Sequence, residues 1–205
     1  MSAIQTVRLI LHLRSRSLRS FDHMIISGGR AHFLLYALSG KLTGYQRYNP
    51  WGKKLPHSNT LGDDAKYYTW VSSGEVGFWG AQFYDPYCPL LFITEGIFNA
   101  VKVVNEGWPC FAMLTATPSK SAASFLNMLP NQLVIIKDND GHAVKPFEYV
   151  DGYSINPPRI YGDVGNMPQP KVGVMINQVL EKFNVNEERV GYPNHRRKSI
   201  IRFSR

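Results

Sequence analysis

The first part of the chain alternates between short apolar stretches and polar breaks, a pattern that predicts one helix followed by β-strands. Residues 3–20 repeat apolar side chains at helical spacing, with His12 and Arg14 off the apolar face. We therefore expect a short amphipathic helix that ends before the Ser-Gly-Gly break at 27–29. The apolar face predicted for this helix consists of Ile4, Val7, Leu11 and Leu18.

Two apolar runs separated by a short Ser-Gly-Lys turn predict a β-hairpin. The runs cover 31–38 and 42–48. Residues 49–64 are rich in Pro, Gly and Asn and should form a loop, whereas 66–71 is prone to form a strand. The glycines and prolines of 72–89 predict irregular structure.

Strands and helices alternate from residue 90 onward. The predicted strands are continuous apolar runs, which is typical of strands covered on both faces. This alternation predicts a parallel α/β sheet. The proline-rich 141–170 should be largely loop around one strand at 158–162, before an amphipathic helix at 171–183. The earlier predicted elements are strand 90–94, helix 97–106, strand 110–114, helix 119–128 and strand 133–136.

The composition is that of a globular protein able to bury a core. Of 205 residues, 44% are hydrophobic and 19% are charged, which excludes collagen-like, coiled-coil and disordered chains. No apolar run approaches ~18 residues, so we predict no membrane-spanning helix. Cys88 and Cys110 form no Cys-x-x-Cys pair, which excludes a zinc ribbon and fits a reducing compartment. We expect a cytoplasmic protein.

The net charge of +8 is concentrated at the two ends of the chain. Residues 1–30 hold five arginines against one acid, Asp22, and residues 189–205 hold six basic residues and no acid. The intervening residues 31–188 carry 12 basic and 14 acidic residues. Clustered basic residues favour an anionic partner, usually nucleic acid, although basic ends that only keep a protein soluble would have the same pattern.

Acidic residues follow two of the three predicted parallel strands. Glu95 closes the first strand, and Asp138 and Asp140 follow the third. Because active sites of open α/β sheets lie beyond the carboxyl ends of the strands, these acids should meet at one edge. Carboxylates a few Å apart repel one another, and a divalent cation such as Mg²⁺ relieves that repulsion. The alternative is that Glu95 caps the following helix and 138–140 is an ordinary turn.

The stretch LLFITEGIFNAVKVVNEGWPCFAML and the later LVIIKDND resemble the TOPRIM domain, a metal-binding fold shared by DNA primases, topoisomerases and some nucleases. Gly96 matches the glycine of the family's Glu-Gly motif, which lets the backbone turn tightly into the helix. Primases often carry a further acidic motif, in which Asn166 stands where a second Asp is common. The resemblance leaves the number of metal ions open. It implies that Mg²⁺ or Mn²⁺ is bound by Glu95, Asp138, Asp140 and Asp163.

Two segments upstream of the strands resemble DnaG-type primases. Residues 44–47 (GYQR) match a glycine- and aromatic-containing stretch of primases, and Lys66 with Tyr67 matches a Lys-Tyr pair near their active cleft. The resemblance covers roughly 28–185 and implies the RNA-polymerase core of a compact, phage-like primase. The 205 residues contain neither a zinc module nor the P-loop of a helicase. If the protein is phage-encoded, we expect it in the host cytoplasm.

The resemblance also implies which residues contact nucleotide or template. Lys137 either offsets the neighbouring acids or contacts phosphate, and Trp51 is the best candidate for stacking on a base. For the basic residues, the alternative is solvated surface charge. The implied nucleotide- and template-binding residues are Arg47, Lys53, Lys54, Lys66, Tyr67, Trp51 and Lys137.

We expect an α/β fold in which a small α+β primase-like subdomain precedes a TOPRIM sheet flanked by helices. The expected activity is metal-dependent synthesis of short RNA primers from NTPs on single-stranded DNA. A replicative helicase or another replisome protein is the expected partner. The alternatives are a TOPRIM nuclease and a TOPRIM-derived nucleic-acid-binding protein without catalysis. The expected segments are a basic extension (1–27), the subdomain (28–85), the TOPRIM domain (86–185) and a basic tail (186–205).

Overall fold

The computed structural model describes residues 3–54, 65–115, 118–139 and 147–185. These residues form an antiparallel and a parallel four-stranded sheet that share one hydrophobic core. This mixed architecture, with helices flanking the parallel sheet, confirms the predicted fold class. No helix in the described ranges is both long and apolar enough to cross a membrane.

The antiparallel sheet comes first, and its strands lie side by side in chain order. The hairpin and the strand near 66–71 are confirmed, while the four-residue strand β1 was missed because its apolar run is too short to show a period. Every second residue of β2 is buried, as expected for a sheet covered on one face. The elements are helix α1 (Ala3–Ser15) and strands β1 (Met24–Ser27), β2 (Arg30–Tyr36), β3 (Leu42–Tyr48) and β4 (Tyr67–Val71).

Helix α1 buries a different face from the predicted one. Leu9 and Leu13 are completely buried, and His12 lies on the same side, where its Nε2 is 2.9 Å from the Tyr48 hydroxyl oxygen. The predicted apolar face was wrong because the side of the helix that contacts the rest of the protein carries two leucines and two polar residues at helical spacing. These are Leu9, His12, Leu13 and, just after the helix, Arg16. Leu18 is buried but follows the helix. The exposed fractions of Ile4, Val7 and Leu11 are 71%, 55% and 60%.

The parallel sheet follows, in the order β6-β5-β7-β8. All five residues of β5 are buried, which confirms a strand covered on both faces. The strand expected at 158–162 is wrong: the sheet takes β8 instead, and the chain turns after two prolines that lack N–H donors. The elements are β5 (Leu90–Thr94), α2 (Ile97–Val104), β6 (Cys110–Ala112), α3 (Lys120–Asn127), β7 (Gln132–Ile136), β8 (Tyr153–Ile155) and α4 (Gln169–Lys182), with 3-10 helices at Ala81–Phe83 and Val164–Asn166.

Helix α2 joins the two sheets. Its Phe98 ring lies 5.8 Å from the Phe33 ring of β2 and 5.0 Å from the Tyr48 ring of β3, measured between ring centres. Edge-to-face contacts of this kind favour a fixed relative orientation of the rings. Helix α2, which begins just after the carboxyl end of β5, therefore also packs on the buried face of the antiparallel sheet.

Candidate active site

The carboxyl ends of β5 and β7 place two predicted acids at the same edge of the parallel sheet. Thr94 pairs with Ile136, so Glu95 follows one strand directly and Asp138 follows the other by two residues. Adjacent strands are spaced about 4.8 Å apart, so this register brings the two segments together. Asp140 lies outside the described residues. Within the described ranges, no three His, Cys, Asp or Glu residues form a group able to hold a metal ion.

Asn99 of α2 connects Asp138 to the turn that carries Asp163. Its Nδ2 donates to Asp138 Oδ1 at 2.9 Å, and its Oδ1 accepts the Gly165 N–H at 2.9 Å. Asn99 is buried, so water competes poorly for these bonds. Sequence reasoning missed this residue, although one asparagine within the apolar run IFNAVKVV is the kind of polar residue whose burial needs a reason.

Lys102, one turn further along α2, holds the same segment. Its Nζ donates to the Met167 carbonyl oxygen at 2.9 Å. Burial lowers the pKa of Lys102, and the charges of Arg16 and Arg19 lower it further. Two side chains on one face of α2 therefore hold the middle of the 3-10 helix Val164–Asn166 and the residue that follows it. Sequence reasoning missed Lys102 because the basic residue sits within an apolar helix.

Asp163 caps the 3-10 turn. Its Oδ1 accepts the Asn166 N–H at 2.9 Å, and its Oδ2 accepts from Asn166 Nδ2 at 3.2 Å. Asn166 stands where a second acid was expected, and here its side chain orients the first one. A carboxylate that accepts two N–H bonds is held in one position.

Gly165 allows three polar groups to converge. A Cβ atom at this position would lie 2.8 Å from Asn99 Oδ1, 3.1 Å from Arg16 Nη2 and 3.1 Å from Asp163 Oδ1. Gly96, in contrast, has an ordinary φ of −108° and open space where its Cβ would stand, so the turn into α2 does not require glycine. The expected reason for Gly96 was therefore wrong.

Arg16 reaches this site from the end of α1. Its guanidinium carbon lies 4.8 Å from the centre of the Phe98 ring, and Nη1 is 3.4 Å from Asn166 Oδ1. Its buried Nε has no hydrogen-bond partner among the described residues. Sequence reasoning counted Arg16 only as part of a basic end, because its approach to α2 is a tertiary contact.

A cavity of about 230 Å³ lies between α1, the antiparallel sheet and the 3-10 turn. It brings together four predicted site residues and carries three basic side chains against one acid. Burial raises the pKa of Tyr48 to about 12, and neighbouring Tyr67 contributes in the same direction, so the Tyr48 hydroxyl stays protonated at neutral pH. The lining residues are Arg16, Tyr48, Lys54, Lys66, Tyr67, Asp163 and Asn166.

Four other predicted contact residues do not line this cavity. Arg47 lies on the opposite face of β3 from Tyr48, 5.2 Å from the Tyr68 ring centre. Trp51 is exposed beside Arg8, whose guanidinium carbon is 5.8 Å from its ring centre. Lys53 is exposed, and Lys137 is half-buried between β7 and Asp138.

Comparison with solved structures identifies the class of fold. The chain superposes on the zinc-binding and RNA polymerase domains of the Aquifex aeolicus primase, with a TM-score of 0.56 and 14% identity over 88% of this chain and 49% of that one. A DnaG primase catalytic domain bound to ssDNA gives 0.56 and 13%, covering 78% and 57%. The primase fragment of the bacteriophage T7 primase-helicase gives 0.51 and 13%, covering 78% and 66%.

These similarities establish a primase-like fold. The chain spans about half to two thirds of the length of these three structures. No protein-family model matches it, and no curated protein sequence is significantly similar to it.

Proposed function

We propose that this protein is a primase-like, metal-dependent nucleotidyltransferase that makes short RNA primers on single-stranded DNA. The observation that carries the proposal is the connection between the sheet edge and the basic cavity. Asn99 links Asp138 to the Asp163 turn, and Asp163 lines a cavity with Lys54 and Lys66. Hydrogen bonds thus connect the acidic sheet edge to the Asp163 turn, and Asp163 shares its cavity with the cations proposed to bind phosphate.

The donor set fits a hard divalent cation. Glu95 and Asp138 both offer carboxylate oxygens, which Mg²⁺ and Mn²⁺ prefer. A bound ion would be held by Glu95, Asp138 and Asp140, with Asp163 as a further ligand, and would neutralise charge on the reacting phosphates. We also propose that 86–185 is a TOPRIM domain, which follows a basic extension (1–27) and a primase-like subdomain (28–85) and precedes a basic tail (186–205).

The cavity fits the polyphosphate of an incoming NTP. In primer extension the 3′-hydroxyl gives up its proton to water as its oxygen bonds to the α-phosphorus, the bond from that phosphorus to the β-bridging oxygen breaks, and pyrophosphate leaves. Arg16, Lys54 and Lys66 offset the charge of the triphosphate, and the guanidinium of Arg16 offers donors in a planar arrangement suited to phosphate. The side chain of Asn166 keeps Asp163 oriented toward the same space.

The remaining contact residues fit roles outside the cavity. Lys53 and Trp51 are exposed and close in the chain to Lys54, and the Trp51 ring would stack on a template base. Lys137, beside Asp138, offsets the acidic edge. The DnaG neighbour bound to ssDNA and the T7 primase-helicase neighbour support a DNA template and a helicase or other replisome partner for this chain. We place the protein in the cytoplasm.

Primer synthesis on single-stranded DNA from labelled NTPs and Mg²⁺ tests this proposal. Asp138→Asn and Glu95→Gln should each reduce synthesis at least a hundredfold, because each removes a proposed metal ligand. The matched control is Asp151→Asn, since Asp151 is an exposed acid just before β8, at the opposite edge of the same sheet. Full activity of both edge variants would refute the site.

A second reaction mixture separates the alternatives. Single-stranded DNA with Mg²⁺ and no NTPs should remain intact. Cleavage that depends on Asp138 would instead identify a nuclease. Tight DNA binding by the wild type, with neither synthesis nor cleavage, would identify a binding protein.

A further inference from the structure

The antiparallel sheet has a second face that the cavity does not use. Side chains of a strand alternate between faces, and the pairs Ala31–Tyr48 and Tyr48–Tyr67 belong to the inner face. The next residues along each strand therefore form the opposite side, which we call the outer face. Its central residues are His32, Leu34, Tyr45, Arg47, Tyr68 and Trp70.

Aromatic rings form a contiguous group on this outer face. The centre of the Tyr45 ring lies 5.5 Å from that of His32, 6.2 Å from that of Tyr68 and 6.0 Å from that of Trp70. All three contacts stay within the sheet. Trp70 is 48% exposed, although a tryptophan on a structural sheet face is usually covered. The rings therefore contact one another within the sheet and leave one side of the group exposed to solvent.

The charged side chains of the four antiparallel strands are all basic. Strands β1 to β4 contain Arg30, Arg47 and His32 but no Asp or Glu. The Arg47 guanidinium lies over the Tyr68 ring, so a positive charge stands directly beside the aromatic side chains. Arg47 is the cross-strand neighbour of His32, and Arg30 lies two residues before His32 on the same face of β2, so both arginines are next to this ring.

Stacking surfaces combined with cations are what an unpaired nucleic-acid strand requires. Its bases offer faces that stack on aromatic rings, and its phosphates pair with arginine. A duplex keeps its bases stacked inside and cannot use the rings in this way. The absence of acids from these strands disfavours a basic protein partner.

We infer that the outer face of the antiparallel sheet binds single-stranded DNA through Tyr45, Tyr68, Trp70 and Arg47. This surface lies on the side of the sheet opposite Tyr48 and the cavity, so it grips template outside the catalytic site. The inference rests on the proposed function only for the identity of the strand. It assigns Arg47 to template rather than to the triphosphate.

Binding of a fluorescent oligothymidylate in EDTA, measured by anisotropy at several salt concentrations, tests the inference. Trp70→Ala should weaken binding about five- to a hundredfold, whereas Trp70→Phe keeps a stacking ring and should retain most of the affinity. The matched control is Tyr87→Ala, which removes a 93% exposed aromatic residue outside the sheet and should change little. Thermal melting of each variant confirms that it is folded.

Arg47 gives an independent readout. Arg47→Gln should reduce the slope of log affinity against log salt by about 0.7, the value for one lost phosphate contact to a single strand, and Arg47→Lys should restore it. An unchanged affinity of Trp70→Ala together with an unchanged Arg47→Gln slope would overturn the inference.

The outcome can be separated from that of the proposed function. Binding is measured without NTPs or metal, and Asp138→Asn should bind oligothymidylate as the wild type does. If wild type makes no primers but Trp70→Ala still loses affinity, the surface is right and the activity is wrong. If instead Trp70→Ala leaves the affinity unchanged and only dissociates a concentration-dependent dimer seen by sedimentation, the face is an interface between copies and the inference fails.

Discussion

The two sheets of this protein differ in how many of their faces are covered. In the parallel sheet, β5 is buried along its whole length, whereas β2 of the antiparallel sheet alternates between buried and half-buried residues. A strand covered on both faces is restricted to apolar residues, so its polar chemistry is found beyond its end, as with Glu95 and Asp138. A strand covered on one face can carry chemistry along its length, as we infer for Tyr45 and Arg47.

The difference also separates stability from recognition. The parallel strands pack against buried side chains on both of their faces, and removing one of their own side chains leaves a cavity. The outer face of the antiparallel sheet faces solvent, so its side chains can change at low cost to folding.

The largest effect should come from one substitution made in each sheet. Leu91→Ala removes a fully buried side chain of β5 and should lower the free energy of unfolding by about 2–5 kcal/mol. Leu34→Ala, on the half-buried outer face of β2, should cost about 1 kcal/mol or less. Urea denaturation measures both values. Equal losses would show that the outer face is covered in solution.

Asn99→Ala tests the link between the sheet edge and the cavity. It removes the bridge from Asp138 to Gly165 and leaves both groups without that partner, which should reduce primer synthesis about tenfold or more. Asn105→Ala is the control, because its Nδ2 donates to the Ser17 carbonyl oxygen at the other end of α2. A similar loss in both variants would indicate general damage to α2 instead.

Gly165→Ala should act in the same direction as Asn99→Ala and more weakly. The new methyl group would stand 2.8 Å from Asn99 Oδ1, and the asparagine side chain would have to move. We expect a several-fold loss of synthesis with little change in the melting temperature. Activity equal to wild type would show that the arrangement around Gly165 tolerates a displaced Asn99.

The basic residues near α1 should affect DNA binding but not stability. Deleting 1–20 would remove the buried Leu9 and Leu13, so point substitutions are the sharper test. The exposed pair Arg14→Gln and Arg19→Gln should reduce the salt slope of oligothymidylate binding by about 0.7 for each lost contact. Lys171→Gln, an exposed cation on α4, is the control for the parallel half. An identical slope in the double variant would confine DNA binding to other residues.

The smallest effect concerns pH. Burial lowers the pKa of His12 and His32, and nearby basic residues lower both further. As the pH falls, these histidines are therefore protonated in the unfolded chain before they are protonated in the folded protein. The contribution of these two histidines to the free energy of unfolding should therefore be fully present above the ordinary histidine pKa of 6.5, and it should decline as the pH falls below that value. Urea denaturation between pH 7.5 and 5 should show a shallower decline in the double variant His12→Gln/His32→Gln. The same decline in both proteins would contradict this assignment.

The sequence by itself determined the hairpin, the alternation of strands and helices from 90 to 136, and the place of two acids at strand ends. Continuous apolar runs such as Leu90–Thr94 have one physical solution, a strand buried on both faces, and the acid after such a strand must lie at the edge. The two apolar runs of 31–48, separated by a Ser-Gly-Lys turn, likewise predicted a hairpin, and the structure shows that only one of its faces is covered.

Only the tertiary structure decided which residues complete the site. Asn99 and Arg16 acquire their roles from groups far along the chain, since Asn99 binds Asp138 and Gly165 while Arg16 approaches Asn166. The face that α1 buries was decided in the same way. Its apolar spacing favoured Ile4, Val7 and Leu11, but the surface available to the helix accepted Leu9 and Leu13 beside polar partners. Local periodicity records which residues can be buried, whereas the partners that bury them are set by packing between distant segments.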